Sequence, residues 1–207
     1  MRDRGRVAQN PSQTIWRCVI PVAADQMDTR MHASRAAQDL FEQHGAAVYR
    51  FATVLLRHHQ DAEDVVQETF LKLLQHLVGG GSTSNLRGWL FTVAAHAARD
   101  RQRRRARWIP WAPVHDPRVA PPELPDEDGQ LRAAREALQR LPDRDRLLLA
   151  LRAQELSYRD IAAAARIRPS SVGRLLARAL DRWGQECGRA ARLGSGQNVK
   201  TERHGLI

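Results

Sequence analysis

The sequence is short of cysteine, of lysine and of long apolar runs, and each shortage excludes something. Its two cysteines, Cys18 and Cys187, stand far apart, with no CxxC and no metal-ligand spacing. That argues against a disulfide-stapled secreted scaffold and against a metal site, and fits a reducing compartment. The longest apolar stretch near the N-terminus, CVIPVAA, is interrupted by Pro21. It falls well short of the ~20 residues that span a bilayer, so a soluble, cytoplasmic protein without membrane insertion is expected. No HExxH, no phosphate-cradling glycine motif and no Ser/His/Asp arrangement stands out, so neither an enzyme nor a bound cofactor is expected. Only Lys72 and Lys200 are lysines, yet Lys+Arg outnumber Asp+Glu by 33 to 23 in the 207 residues. With a pI near 11.1, the chain suits a polyanionic partner, nucleic acid first. An arginine excess follows from a GC-rich genome, so the sign of the charge carries this reading rather than the choice of residue.

Strand-like alternation is also absent, and what remains is helical periodicity. Residues 1–32 show no sustained period, and Met27 and Met31 each offer a start, so a disordered or misassigned extension is expected there. Residues 34–57 place Leu40, Phe41, Val48, Phe51, Ala52, Leu55 and Leu56 at helical spacings, and 61–78 do the same with Val65, Val66, Phe70, Leu73, Leu74 and Leu77. GGGSTSN breaks the pattern. LRGWLFTVAAHAARD resumes it, with Leu86, Trp89, Leu90, Val93 and Ala97 on one face, and RDRQRRR (99–105) continues that helix. Trp89 reads as core, and His58 and His59 as surface. A helical first domain over 33–107 is the simplest reading.

From 108 to 130 the chain changes character, with prolines at 110, 113, 117, 121, 122 and 125 and acids at Glu123, Asp126, Glu127 and Asp128. Such a segment does not bury enough apolar area to fold alone, and a flexible acidic linker is expected. A second domain follows at 131–184, and 185–207 reads as a tail. The all-α chain thus comprises two small helical domains.

In the second domain LRAAREALQRL is amphipathic. Pro142 then sits where a first helical turn tolerates it, with Asp143 and Asp145 near the positive end of the helix dipole. Ser157 and Asp160 have the serine-x-x-acid form of a capping box opening YRDIAAAA. After RIRP a further start is expected at Ser170 or Ser171, with Val172, Leu175, Leu176, Ala179, Leu180 and Trp183 forming one apolar stripe. The opposite face carries Ser171, Gly173, Arg174, Ala177 and Arg178. Two short helices joined by a tight turn, the second exposing small and basic residues, form the pattern of a helix-turn-helix. An arginine on such a face reaches guanine O6 and N7 in the major groove; the alternative is a helical hairpin with a solvated arginine face. A glycine would fit the turn at Arg166 more easily.

DAEDVVQETFLKLLQH, the loop, LRGWLFTVAAHAARDRQRRR, the acidic linker and LQRLPDRDRLLLALRAQELSYRDIAAAARIRPSSVGRLLARAL together resemble a group 4, extracytoplasmic-function sigma factor of the sigma-70 family, over about residues 34–184. The resemblance implies a protein that binds core RNA polymerase, through the clamp helices of its β′ subunit and through its β subunit, and directs it to promoter DNA. It also implies an anti-sigma factor as a further partner of the kind the family takes. In the family the helix like DAEDVVQETF docks on the clamp helices, which points to Asp61, Asp64, Gln67 and Glu68; the other reading is that Asp61, Glu63 and Asp64 merely complement the helix dipole.

The next loop and helix act on the −10 element in the family, opening the duplex and capturing an unstacked base. That points to Leu86, Arg87, Thr92, His96, Arg99, Arg103 and Arg104, with Arg101 and Arg105 adding charge to hold the backbone. The helix-turn-helix acts on the −35 element, through Ser170, Ser171, Gly173, Arg174 and Arg178. Two departures lie in the reading elements: GGGSTSNLR lacks the aromatic residues often seen there, and His96 stands where the family frequently has asparagine. The rival class is a helix-turn-helix regulator acting on duplex DNA without polymerase.

Overall fold

A computed structural model describes residues 12–108 and 129–197, with side chains described within 27–105 and 129–192. The bulk of the expected linker, residues 109–128, lies outside them, as do 1–11 and 198–207. All seven elements among the described residues are α-helices: α1 (Ser12–Leu56), α2 (His59–Val78), α3 (Leu86–Trp108), α4 (Gly129–Arg140), α5 (Asp143–Arg152), α6 (Tyr158–Ala165) and α7 (Pro169–Gln197).

Two helices outrun their expected limits. α1 begins at Ser12, so residues 12–32 are helical where an unstructured extension was expected. α7 continues through 185–197, where a tail was expected. Once a helix is nucleated, each further residue adds a hydrogen bond at little cost, and the glycines at 188, 194 and 196 cost only about 1 kcal/mol each. An Arg189–Glu186 ion pair at i, i+3 supports the extension.

α1, α2 and α3 pack on one another, while α4 and α5 pack on α7 and α6 joins α5 and α7. Fully buried Phe51 and Phe91 meet edge to face, 5.4 Å between ring centroids. The two groups of helices are not separate in this chain. α1 touches α5, α3 touches α6, and one buried cluster runs from Val48, Phe51 and Phe91 into Leu148, Leu151 and Ile161. Gln139 Nε2 donates to the carbonyl of Val54 (3.2 Å) and Gln102 Nε2 to that of Leu55 (3.0 Å), satisfying part-buried carbonyls of the last turn of α1.

Helix ends follow local chemistry. Ser157 caps α6 by accepting from the Asp160 N–H (3.2 Å), the first half of the expected capping box, while its hydroxyl donates to the Asp160 carboxylate (2.6 Å) in place of that carboxylate accepting from the Ser157 N–H. Pro142 precedes α5, as expected. α7 starts at Pro169 rather than at a serine, because proline's fixed φ suits a first helical position. Asp145 does more than complement a dipole: it is 5% exposed and bonded to Arg182 of α7. Arg146 is buried beside it, bonded to Asp143 and to the carbonyls of Gln139 and Leu141. Burial holds its guanidinium below the usual arginine range, with Arg57 adding to the effect.

Candidate functional site

The hairpin of α2 and α3 sorts its charges by register. Antiparallel packing sets Asp61 against Arg105 (3.3 Å), and Asp64 and Glu68 against Arg101 (3.5 and 2.7 Å). Lys72 adds a bond to the other Glu68 oxygen (2.7 Å). The Glu68 carboxyl lies below its ordinary value, first through the Lys72 bond and then through Arg101. Asp64, Gln67 and Glu68 line one shallow groove together with Leu71, Gln75 and Arg101. Asp61 stands beyond it, a turn nearer the start of α2. Leu71 was missed by sequence reasoning. It is 62% exposed in the middle of this polar groove, and its signal was an apolar residue off the Val65/Leu73 stripe.

The same register corrects the reading of the arginine block. Arg101 and Arg105 are both paired with acids of α2, Arg101 half-buried and Arg105 exposed, so neither stands as an unpartnered cation for DNA. Arg101 is only 17% exposed at its side chain, which leaves room for the two carboxylates and little else. Arg103 and Arg104 are exposed. Arg99 is half-buried and donates to the Ala165 carbonyl at the end of α6 (3.4 Å).

Ahead of α3, the 79–85 loop is pinned at both ends. Gly79 and Gly80 close α2, with Gly80 at φ +71°. His76 stacks on Trp89 (4.7 Å, 29°), and one ring nitrogen donates to the Ser82 carbonyl (2.9 Å). Trp89 is thus half-buried against a histidine rather than in the core. Asn85 caps α3 by accepting from the Gly88 N–H (3.0 Å). Leu86 is half-buried and Arg87 exposed, while the Thr92 hydroxyl donates to the Gly88 carbonyl (2.8 Å), as a helical threonine does. His59 is not a bare surface residue: its ring shares a 2.9 Å hydrogen bond with the Tyr49 hydroxyl.

His96 and Arg99 face α6. Arg166 Nε donates to His96 Nε2 (3.4 Å), which requires that nitrogen to be unprotonated. Burial, then Arg166, then Arg99 hold the His96 ring below its ordinary value. Arg166 reaches it from the left-handed cap of α6, φ 55°, ψ 49°, a conformation in which a non-glycine residue is strained by roughly 1–2 kcal/mol.

In the helix-turn-helix, Val172, Leu176 and Ala179 of α7 are buried, and Trp183 donates from its indole to the Ala134 carbonyl (3.0 Å). The stripe is not unbroken, since Leu180 is 49% exposed. Ser170, Arg174 and Arg178 succeed one another at i, i+4 and i+8 and are exposed; Ser171 is half-buried. Gly173 is half-buried against Tyr158, whose ring would stand 3.6 Å from an added Cβ. Among the described residues no group of three His, Cys, Asp or Glu is placed to hold a metal, and no helix is long and apolar enough to cross a membrane.

Known proteins with this arrangement are sigma factors. The family described as Sigma-70 region 2 matches residues 40–108, and that described as Sigma-70, region 4 matches 131–182. The RNA polymerase sigma factor CarQ of Myxococcus xanthus is 31% identical over 143 residues, which is 68% of this chain and 82% of the relative. The ECF RNA polymerase sigma factor SigL of Mycobacterium tuberculosis is 44% identical over 70 residues, covering 33% of this chain and 39% of the relative. Among solved structures, the sigma factor RpoE in complex with the anti-sigma factor NepR from Bartonella quintana aligns with a TM-score of 0.56 at 25% identity, covering 72% of this chain and 94% of that one.

Proposed function

The chain belongs to the sigma-70 family, in its extracytoplasmic-function group, and directs core RNA polymerase to promoters; from that premise we propose how its residues divide the work. The observation that carries the assignment is the α2 groove. It offers carboxylates and amides around a solvent-exposed leucine, which is the composition of an interface with one apolar anchor and a polar rim. Asp64, Gln67 and Glu68 form that rim toward the β′ clamp helices, Asp61 extends the acidic face a turn beyond it, and Leu71 is the anchor. A basic partner displaces Arg101 and Arg105 from these acids.

Residues 33–107 and 131–184 are the two working units, the first for polymerase and the −10 element, the second for the −35 element. Arg174 and Arg178 read or grip the upstream duplex, with Ser170 and Ser171 beside the phosphates at the helix start and Gly173 allowing close approach. Arg103, Arg104 and Arg87 hold the opened strand, Arg99 and His96 lie deeper toward the captured base, and Leu86 and Thr92 shape its surroundings. Initiation factors of this family are non-catalytic, and the chain acts by binding alone, in the cytoplasm with its polymerase. An anti-sigma factor is a further partner, since the solved relative is held by one.

Co-purification with core polymerase, followed by permanganate mapping of unpaired thymines on a library of −10 variants, tests the division. His96→Asn should reorder the promoters used. Arg103→Ala with Arg104→Ala should weaken all of them alike. Identical rankings for wild type and His96→Asn would remove His96 from the reading site.

A further inference from the structure

We propose that the cleft between α1, α3 and α5 binds a nucleotide, with the base on an apolar floor and the phosphates on a rim of arginines. The cavity holds about 320 Å³. Leu55 of α1, Ala95 of α3 and Leu147 of α5, all buried, make its floor. Arg99 and Arg103 stand one turn and two turns beyond Ala95 on the same face of α3, and Arg144 joins them from the first turn of α5.

Guanidiniums outnumber carboxylates around this cleft. Asp143, the carboxylate that lines it, is bonded to Arg146 and lies in the field of Arg57, so it does not neutralise the rim. Burial, then Arg166, then Arg103 hold the Arg99 guanidinium below the usual arginine range, with Asp100 opposing them. An anion in the cleft relieves that crowding.

The ligand must satisfy floor and rim together. Inorganic phosphate would use the arginines and leave the floor wet, whereas a fatty acid would cover the floor but bring one carboxylate to three guanidiniums. A nucleotide brings a flat, weakly polar base and several phosphate oxygens, which an arginine fork takes two at a time. The volume lies at the lower end of the roughly 300–1,000 Å³ of small-molecule sites, so a single nucleotide fits with its phosphates toward the open side. Gln102 supplies a polar handle. Its Nε2 is committed to the Leu55 carbonyl, which leaves Oε1 to accept from the base or the ribose.

Isothermal titration calorimetry of the full chain, without DNA or polymerase, tests this at about 0.15 M salt, where exposed charges more than about 8 Å apart are largely screened. The probes are ADP and GDP, with pyrophosphate and adenosine as the separate halves. At least one nucleotide should bind at one site per chain, at least about tenfold more tightly than either half, because floor and rim then act together. Arg144→Glu reverses one rim charge and should weaken that binding at least about tenfold. Arg159→Glu makes the equal charge change in the first turn of α6, outside the cleft, and should leave it nearly unchanged. If Arg144→Glu fails to fold, Arg103→Glu on the α3 wall carries the same expectation. Binding by neither nucleotide, binding no tighter than that of pyrophosphate or adenosine, or equal losses from the cleft and control variants would each overturn the proposal.

Discussion

The two halves of the molecule use their arginines differently. In the first, three arginines of the dense RDRQRRR block are engaged within the chain: Arg101 and Arg105 by the acids of α2, Arg99 by the end of α6. In the second, Arg174 and Arg178 stand exposed on α7, while Arg146 is buried and Arg182 serves the buried Asp145. Charge density along a sequence is therefore a poor guide to charge available for a ligand. What decides it is whether a carboxylate or carbonyl lies within reach across the next helix, and that depends on the register of packing.

The comparison is broken most severely at the α2 groove. Changing Asp64 and Glu68 together to lysine should remove the partners of Arg101 and place like charges against a basic docking surface. We expect at least about a hundredfold loss of core binding, about 3 kcal/mol or more. Co-purification measures it, with circular dichroism to show the chain still helical; undiminished binding by a folded variant would sink the docking assignment.

Next in size is Arg174→Ala. A base-reading arginine should cost about 1–3 kcal/mol, confined to one position of the −35 element in footprinting. Arg103→Ala with Arg104→Ala should instead weaken open complexes at every promoter. The salt dependence should flatten by up to about 2 in slope, about 1 for each phosphate no longer held. If Arg174→Ala left the upstream footprint intact and harmed only strand opening, the roles assigned to the two halves would be exchanged.

A smaller effect separates the partners of one ion pair. Arg182 is 55% exposed at its side chain and Asp145 only 8%. Arg182→Ala strands a buried carboxylate and should destabilise by about 1–3 kcal/mol in urea unfolding, whereas Asp145→Ala returns an arginine to water and should cost less. Equal losses would mean that Asp145 is wetter than its burial implies. Because one buried cluster joins the halves, a single transition is expected for the whole chain.

The smallest expected effect is a pH dependence of the contact between α3 and α6. His96 faces Arg99 and Asp100 on its own helix, Arg166 from the turn and the Ala163 backbone; burial comes first among the causes that lower its pKa. A base whose pKa is lowered in the closed arrangement supports it fully above the ordinary value near 6.5 and loses that support as pH falls through the lowered value. Protonation also removes the acceptor for Arg166 Nε. Single-strand binding by wild type should therefore gain on acidification relative to His96→Gln; parallel pH profiles would exclude His96 as the responsive group.

Much of the fold was legible from periodicity and local chemistry. The α2 stripe, the Ser157 cap and Pro142 at the start of α5 all act over a few residues. What was not legible acts across helices. DRDRLLLALR reads as a polar first turn, and only packing against α7 shows Asp145 and Arg146 to be buried. The pairing of Asp61 with Arg105 needed the register of the hairpin. The covering of α3 did leave a trace: in WLFTVAAHAA, buried Leu90, Phe91, Ala94, Ala95, Ala97 and Ala98 surround the helix rather than forming a stripe, because neighbours pack on more than one side. Of the candidate site, the polar residues of α2, α3 and α7 were proposed from sequence, whereas Leu71 was not, because one apolar residue on a polar face carries no period.

Run-off transcription with core polymerase and a genomic promoter pool, sequencing the transcript starts, tests the central claim most directly. The expected result is transcription dependent on this chain, from starts sharing two upstream elements spaced as −35 and −10, with the first lost in Arg174→Ala and the second reordered in His96→Asn. Duplex binding by the chain alone, with no chain-dependent transcripts from core polymerase, would contradict it and favour a regulator that acts without polymerase.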